Sequence, residues 1–255
     1  VHAVGAETHY EFHPLLRHFL LLRARSDLPA DERDRVMNQA ATHLARQGDV
    51  DAAARLLISG DHWEELQRLV VGHAACLLDR GWHHTLSAWL DAMPEDRVAD
   101  DPWLSYWQGA ALLPRDARAA RERLDKAYSL FRERRISDGC FLAWSAIVDL
   151  ICLQWADFSQ LDRWLGEAES LRSLFGTPPN ALAERFAASM FGALLFRRPQ
   201  DPAIHQWADR LLSLIERCPE PSQRIRLGCN LQIHYTVGVG RTLELDRLRK
   251  AIEPP

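Results

Sequence analysis

Apolar residues recur at intervals of three and four along almost the whole chain, which is the spacing of one helix face. The exception is the stretch 1–13, where the polar residues His9 and Glu11 alternate with aromatic neighbours as in an edge strand. From Pro14 onward no strand pattern competes with the helical one. The pattern therefore predicts an all-α fold preceded by a short extended segment.

Glycine, proline and aspartate divide the helical pattern into successive segments. Gly48 and Gly60 are each followed by aspartate, which combines a helix stop with the cap of the next helix. Short connections of this kind indicate antiparallel neighbouring helices. The predicted helices begin at Pro14, Asp49 and Trp63 and otherwise cover 30–47, 82–93, 103–113, 117–134, 138–155, 158–175, 181–196, 202–217, 221–237 and 243–252.

A three-residue signature recurs in the second helix of the predicted pairs. It is a small or apolar residue followed by apolar residues four and seven positions later. Successive copies begin 34, 41 and 43 residues apart, and the first separation equals the tetratricopeptide period. The spacing predicts a right-handed solenoid of tetratricopeptide-like helix hairpins, with an irregular helical bundle as the alternative. The copies are Leu86/Leu90/Met93, Ala120/Leu124/Ala127, Leu161/Leu165/Ala168 and Ile204/Ala208/Leu211.

Composition narrows the functional classes. The net charge is −4 and no basic run exists, so we expect no direct nucleic-acid binding by this segment, because phosphate neutralisation needs a concentrated basic face. Five cysteines without a C-x-x-C pair favour a reduced, cytoplasmic protein. No apolar stretch reaches the roughly 18–20 residues of a membrane span, so no membrane partner is expected.

The stretch 12–20, Phe-His-Pro-Leu-Leu-Arg-His-Phe-Leu, joins the extended segment to the first helix. It is similar to the end of the winged-helix module in MalT-like, LuxR-type transcriptional regulators of the signal-transducing ATPase class. The resemblance continues in order through 40–53, 59–63, 81–95 and 101–112, and beyond residue 130 only the rhythm of helix pairs supports it. It implies three parts: 1–25 as the end of the winged-helix module, 26–95 as a helical arm, and 96–255 as tetratricopeptide-like repeats.

The resemblance implies a sensing region within a larger ATP-dependent machine. An upstream nucleotide-binding module and a downstream helix-turn-helix would flank it, and this segment would receive a small-molecule inducer or a regulatory protein. The chain has no G-x-x-x-x-G-K-[ST] motif, so we expect no cofactor and no catalysis in this segment. The end faces of a helical array also invite self-association.

Two other functions stay open. The first is a tetratricopeptide scaffold that binds a protein partner and has no role in transcription. The second is an α/α-barrel hydrolase, which would need two carboxylates placed across a cleft for acid–base work. No such pair of carboxylates is visible in the sequence.

Asp149 is the foremost candidate for ligand contact, because it is the only charge between Gly139 and Ala156. A buried carboxylate is costly without a partner, so it should either face a groove or pair with a neighbouring helix. Arg185 is the expected structural partner. We retain both interpretations, a ligand contact and a structural ion pair.

Aromatic and polar residues on the first helices of the pairs complete the candidate groove, since first helices line the concave side of tetratricopeptide folds. Trp103 and Tyr106 are expected to be exposed there as stacking platforms, whereas Trp107 and Trp144 are expected in the core. No metal site is expected from the histidines, which lack convergent cysteine partners. The polar candidates are Gln154, Arg185, Ser189, Asn230, Gln232 and His234.

Overall fold

A computed structural model describes residues 2–4, 7–9, 13–237 and 242–252. Two three-residue strands, β1 (His2–Val4) and β2 (Glu7–His9), pair in antiparallel register, and every later element is helical. The fold class is therefore all-α, as the hydrophobic pattern predicts. Part of the predicted edge strand, residues 10–12, lies outside the described residues.

Fourteen α-helices follow one another in the described part of the chain. A short 3-10 turn at Phe158–Gln160 precedes the tenth helix. The helices are α1 (Pro14–Asp27), α2 (Ala30–Arg46), α3 (Val50–Ser59), α4 (Trp63–Asp79), α5 (His83–Asp91), α6 (Glu95–Asp100), α7 (Pro102–Leu112), α8 (Ala117–Glu133), α9 (Ser137–Gln154), α10 (Leu161–Phe175), α11 (Asn180–Arg197), α12 (Ala203–Arg217), α13 (Pro221–Val237) and α14 (Thr242–Ile252).

Most predicted helix boundaries lie within a few residues of the observed ones, and two differ for identifiable reasons. Helix α6 was not predicted, because six residues are too few to show helical periodicity. Helix α10 starts at Leu161 rather than Phe158, because the Asp157 carboxylate accepts from the Ser159 N–H at 2.9 Å and sets a 3-10 turn first.

Aspartate caps fix several helix starts. The side chain at the position before the helix accepts a hydrogen bond from a backbone N–H in the first turn, which otherwise has no acceptor. Gly48 precedes one such cap and has φ +88°, a conformation that favours glycine. The caps are Asp49 to Ala52 N–H at 3.1 Å, Asp101 to Leu104 N–H at 2.9 Å and Asp116 to Ala119 N–H at 2.9 Å.

The helices pack in two sets. In one set, which we call the helix row, α7, α9, α11 and α13 each contact the next. Each member of the row also packs against the helix that follows it, as α7 does on α8 and α11 on α12. Sequence neighbours are therefore spatial neighbours through this part of the chain.

Buried triplets hold the second helices against the row. All twelve side chains of the four predicted triplets are buried, the most accessible being Leu165 at 6% exposure. A position four or seven residues after a buried one lies on the same helix face, so each triplet forms a continuous apolar seam.

Several side-chain hydrogen bonds between helices join residues 34–40 positions apart. Tyr128 donates to Glu167 over 39 residues, and the Ser189 hydroxyl reaches Asp149 over 40. Gln67 donates to Asp101 over 34 residues. Each of these bonds joins helices that are not neighbours in sequence.

Helix α9 is the most apolar element. By length and composition it is the one helix among the described residues that could cross a membrane. In the structure it packs against α8, α10 and α11, and 67% of it is buried. Its position in the core accounts for its hydropathy.

Helix α1 contrasts with the rest, because its apolar side chains are exposed. Among the described helices, α2 is the only one against which α1 packs with substantial contact. The predicted apolar stripe is present, but no described residue covers it. The exposed side chains are Leu15, Leu16, Phe19, Leu20 and Leu22, with exposures between 43% and 75%.

Candidate functional site

Four polar side chains from three members of the helix row meet on one face. Tyr106 comes from α7, Asp149 from α9, and Arg185 and Ser189 from α11. Arg185 and Ser189 lie one turn apart, so both point to the same side of their helix. We call this cluster the recess.

Hydrogen bonds hold the two charges of the recess in place. The Ser189 Oγ lies 2.7 Å from Asp149 Oδ1 and 3.0 Å from the backbone carbonyl of Arg185, and a carboxylate is the stronger acceptor for its single proton. Arg185 Nη1 donates to the Tyr106 hydroxyl oxygen at 3.3 Å. Arg185 Nη2 lies 3.9 Å from Asp149 Oδ2, which is too long for a hydrogen bond.

The contact between Arg185 and Tyr106 spans the helix row. It joins α7 to α11 across the intervening α9, over 79 residues of sequence. In a flat row these two helices would lie roughly 16–20 Å apart, since packed helices are separated by about 8–10 Å. The long side chains of arginine and tyrosine together cover most of that distance, and the recess lies on the side of the row where they meet.

The side chains of Asp149 and Arg185 are partly accessible to solvent, although the residues on either side of Asp149 in the chain are buried. Their side chains are 42% and 40% exposed, whereas Val148 and Leu150 on either side of Asp149 are buried. The Tyr106 ring is 1% exposed, so only its hydroxyl takes part in the recess. The two charged side chains are therefore the solvent-accessible part of the recess.

Burial and charge act against each other on the pKa values here. Burial raises the pKa of Asp149 above its usual value, although the Arg185 cation and the Ser189 hydroxyl both lower it. Burial lowers the pKa of Arg185, but Tyr106 and the carboxylates of Asp149 and the more distant Asp79 raise it by more, so Arg185 stays a cation. Asp149 and Arg185 therefore differ. For the Asp149 carboxylate, burial destabilises the charged form by more than the ion pair with Arg185 stabilises it. Solvent access to Asp149 limits that cost.

The floor of the recess continues one turn further along α9 and α11. A Cβ placed on Gly192 would lie 3.9 Å from Cys152 Sγ and 3.3 Å from Asn230 Nδ2, so these three residues adjoin. Burial raises the pKa of the Cys152 thiol to about 12. The thiol is therefore protonated at neutral pH and lacks the thiolate that nucleophilic chemistry requires.

The aromatic candidates do not form exposed platforms. The prediction that Tyr106 is exposed is wrong, because α7 is apolar on nearly all sides and turns this ring into the core. Trp103 is half-buried and meets Phe131 edge-on, with ring centroids 4.9 Å apart. It therefore packs towards α8 and not into the recess. Trp107 and Trp144 are buried as predicted.

The remaining candidates lie at different distances from the recess. Gln154 is exposed at the end of α9, beyond Cys152, and the structure does not bring it to the charged pair. Asn230 adjoins the continued floor at Gly192. The His234 ring contacts Phe191 and His205, with centroids 5.5 and 5.9 Å apart, so it packs between α11, α12 and α13.

Three residues near the recess were not singled out from the sequence. Asp79 contributes charge from the end of α4, and Cys152 and Gly192 extend the floor. Cys152 and Gly192 lie three residues after Asp149 and Ser189, a spacing that places them on the same helix faces. That spacing could have pointed to them once Asp149 had been chosen. No sequence signal links α4 to α11.

A second concavity lies between α2, α3 and α4. Its volume is about 470 Å³, and its lining combines an apolar floor with polar side chains such as Asn38, Arg46 and His73. Its closest charged pair, Arg68 and Glu65 at 2.9 Å, belongs to α4 alone. Because no opposed charges cross between helices there, the recess is the stronger candidate.

The described residues contain no group of three or more His, Cys, Asp or Glu side chains that could hold a metal ion. His13 instead accepts a hydrogen bond from the Leu15 N–H at 3.3 Å, next to the start of α1.

Comparisons of the chain with protein-family models, curated proteins and solved structures find no match. The resemblance to LuxR-type regulators therefore stays a prediction.

Proposed function

We propose that this chain is the ligand- or partner-sensing region of an ATP-dependent, LuxR-type transcriptional regulator, and that the recess is its recognition site. The observation that carries the proposal is the Asp149–Arg185 pair, held on one face of the helix row by side chains from three successive row helices and partly exposed to solvent. A solvent-accessible charge pair whose pKa values are perturbed is typical of functional sites.

The proposal treats the helix row as the inner layer of a tetratricopeptide-like solenoid. Two observations support this. Several hydrogen bonds between helices join residues 34–40 positions apart, and the four sequence triplets are all buried. In a solenoid each unit contacts its neighbours, and a small rotation per unit produces a concave binding surface.

The mechanism is conformational and involves no covalent chemistry in this segment. A ligand in the recess contacts α7, α9 and α11 together, so it binds best at one curvature of the row. Such a ligand shifts the population towards that curvature in proportion to its differential affinity. In the full regulator, an upstream nucleotide-binding module and a downstream DNA-binding module would respond to the shift in a cytoplasmic setting.

Thermal unfolding in the presence of fractionated extract of the source cells tests the recognition role. We expect either the low-molecular-weight or the macromolecular fraction to raise the melting temperature of the chain, since a ligand that binds only the folded state stabilises it. Arg185→Gln should abolish the rise. Glu216→Gln, which breaks the surface pair with Arg247, should leave it unchanged.

A rise in melting temperature that persists in Arg185→Gln contradicts the choice of site, and the absence of any rise contradicts a sensing role.

The reading frame that encodes the chain separately tests whether it belongs to a transcriptional regulator. A phosphate-binding loop upstream and a helix-turn-helix downstream are expected.

The alternative function is a tetratricopeptide scaffold for a protein partner, unrelated to transcription. The exposed apolar side chains of α1 favour it, because contiguous apolar surface marks protein interaction sites. Under this alternative only the macromolecular fraction raises the melting temperature. The reading frame then lacks both flanking motifs.

A further inference from the structure

The two charges of the recess have unused hydrogen-bonding capacity. Of the five N–H groups on Arg185, only one lies within hydrogen-bond distance of a described acceptor, the Tyr106 hydroxyl. On Asp149, Oδ1 accepts from Ser189, but no described donor lies within hydrogen-bond distance of Oδ2. A guanidinium fork and a carboxylate oxygen are thus both available to a ligand.

The positions of the charges are set before any ligand arrives. Tyr106 holds the guanidinium and Ser189 holds the carboxylate, so neither charge closes the 3.9 Å gap to the other. A site whose groups are fixed in advance loses less conformational entropy on binding. The separation of 3.9 Å is too short to admit a ligand group between the two charges, so a ligand would bind to the outward-facing N–H groups of Arg185 and to Asp149 Oδ2 side by side.

Charge balance restricts the ligand class. A ligand with a single charge would neutralise one member of the pair and leave the other uncompensated in a partly desolvated place, which is costly. A ligand that carries a carboxylate for Arg185 and an ammonium for Asp149 satisfies both. In a free α-amino acid these two groups are bonded to the same carbon atom, which suits a pair of charges held this close together.

We infer that the recess binds a free α-amino acid, with its carboxylate on the Arg185 guanidinium and its ammonium on the Asp149 carboxylate. This inference rests on the proposed function and names the ligand class of the same site. The ligand side chain extends along α9 and α11 towards Cys152 and the Asn230 amide, which adjoin at the buried Gly192. Asn230 therefore favours a side chain with a hydrogen-bonding end.

Calorimetric titration of the unmodified chain tests the ligand class directly. The probes are the free proteinogenic amino acids and, for each one that binds, its N-acetyl and carboxamide derivatives. We expect at least one free amino acid to bind, and each derivative to bind about tenfold more weakly or worse, because it loses one charge-assisted hydrogen bond. Derivatives that bind as tightly as the parent, or no binding by any free amino acid, would overturn the inference.

Three variants separate this ligand class from the recognition role of the recess. Arg185→Lys keeps the positive charge but loses the guanidinium fork that binds a carboxylate, and Asp149→Asn keeps the size of the side chain but loses its negative charge. Each variant should weaken amino-acid binding about tenfold. The control Glu216→Gln should bind like the unmodified chain. Far-ultraviolet circular dichroism and melting temperatures confirm that each variant is folded.

The outcomes are distinguishable. If no amino acid binds but a cell fraction still stabilises the chain through Arg185, the ligand class is wrong and the recognition role stands. If no fraction stabilises the chain in an Arg185-dependent way, both are wrong. Should amino acids bind equally well to the unmodified chain and to both recess variants, they bind elsewhere and the inference fails.

Discussion

The Asp149 side chain combines partial solvent access with a pKa that burial raises. Protein atoms surround it and disfavour its charge, while Arg185 and Ser189 only partly offset that cost. Evolution toward stability alone would favour a neutral residue here, because replacing an ion pair in such a place by well-packed groups is often stabilising. The retained charge is therefore consistent with a binding role.

The raised pKa of Asp149 should make the unfolding free energy of the chain depend on pH. Its pKa in the folded chain is above its unfolded value, so its contribution to stability is lost as the pH rises from the ordinary aspartate range through the folded-state pKa. Asp149→Asn removes this loss. We expect the unfolding free energy of the unmodified chain, relative to the variant, to decrease with rising pH in urea titrations.

Asp162 provides a control with the opposite sign. Hydrogen bonds from Arg197 and Arg198 hold the pKa of Asp162 below its usual value. The stability of the unmodified chain relative to Asp162→Asn should therefore increase as the pH rises towards the ordinary aspartate range. If the unfolding free energy relative to Asp149→Asn and that relative to Asp162→Asn change in the same direction with pH, the environment of Asp149 differs from that in the structure.

At the scale of the elements, two glycines in neighbouring helices should respond oppositely to alanine. A Cβ on Gly139 of α9 would overlap the Phe131 ring, whereas one on Gly166 of α10 meets nothing within 4 Å. We expect Gly139→Ala to destabilise the chain by about 1–3 kcal/mol through overpacking. Gly166→Ala should stabilise it by up to about 1 kcal/mol through helix propensity.

Urea unfolding of the two variants measures both effects under the same conditions. Gly166→Ala provides the control for helix propensity, because its added methyl group contacts no neighbour. If Gly139→Ala also stabilises the chain, then α8 and α9 do not approach as closely as the structure has them.

Helix positions and their buried faces could be predicted from the sequence, because periodicity and caps are local signals. The buried triplets and the Asp49, Asp101 and Asp116 caps are examples. The orientation of α7 could not, since a helix with apolar residues on nearly every side has no polar stripe to mark its outer face. Tyr106 was misplaced for that reason.

The candidate site could be predicted only in part. The isolation of Asp149 within an apolar helix pointed to the need for a partner, and Arg185 is placed beside it. The packing of the row decides the rest, because it brings the Tyr106 hydroxyl within 3.3 Å of Arg185 and the charge of Asp79 near enough to act. Packing between helices that are distant in sequence is encoded by no single segment of the chain.

At the scale of the whole molecule, the apolar face of α1 should promote self-association. Five large apolar side chains are exposed there, and burying such surface is favourable. We expect sedimentation equilibrium to show a concentration-dependent dimer or larger species. The double variant Leu15→Glu/Phe19→Glu should shift the chain to monomer.

Leu243→Glu is the matched control, because Leu243 is an exposed leucine at 77% in α14, far along the chain from α1. It should leave the association unchanged. A purely monomeric unmodified chain, or an equal effect of both substitutions, would show that α1 is not the associating face.

Hydrogen–deuterium exchange with the stabilising cell fraction tests the central claim most directly, since it reports which helices a ligand orders. We predict increased protection in α7, α9 and α11 together, within 102–112, 137–154 and 180–197, with little change in α8, α10 and α12. Protection confined to the second helices, or to the α2–α4 concavity, would contradict recognition by the recess of the helix row.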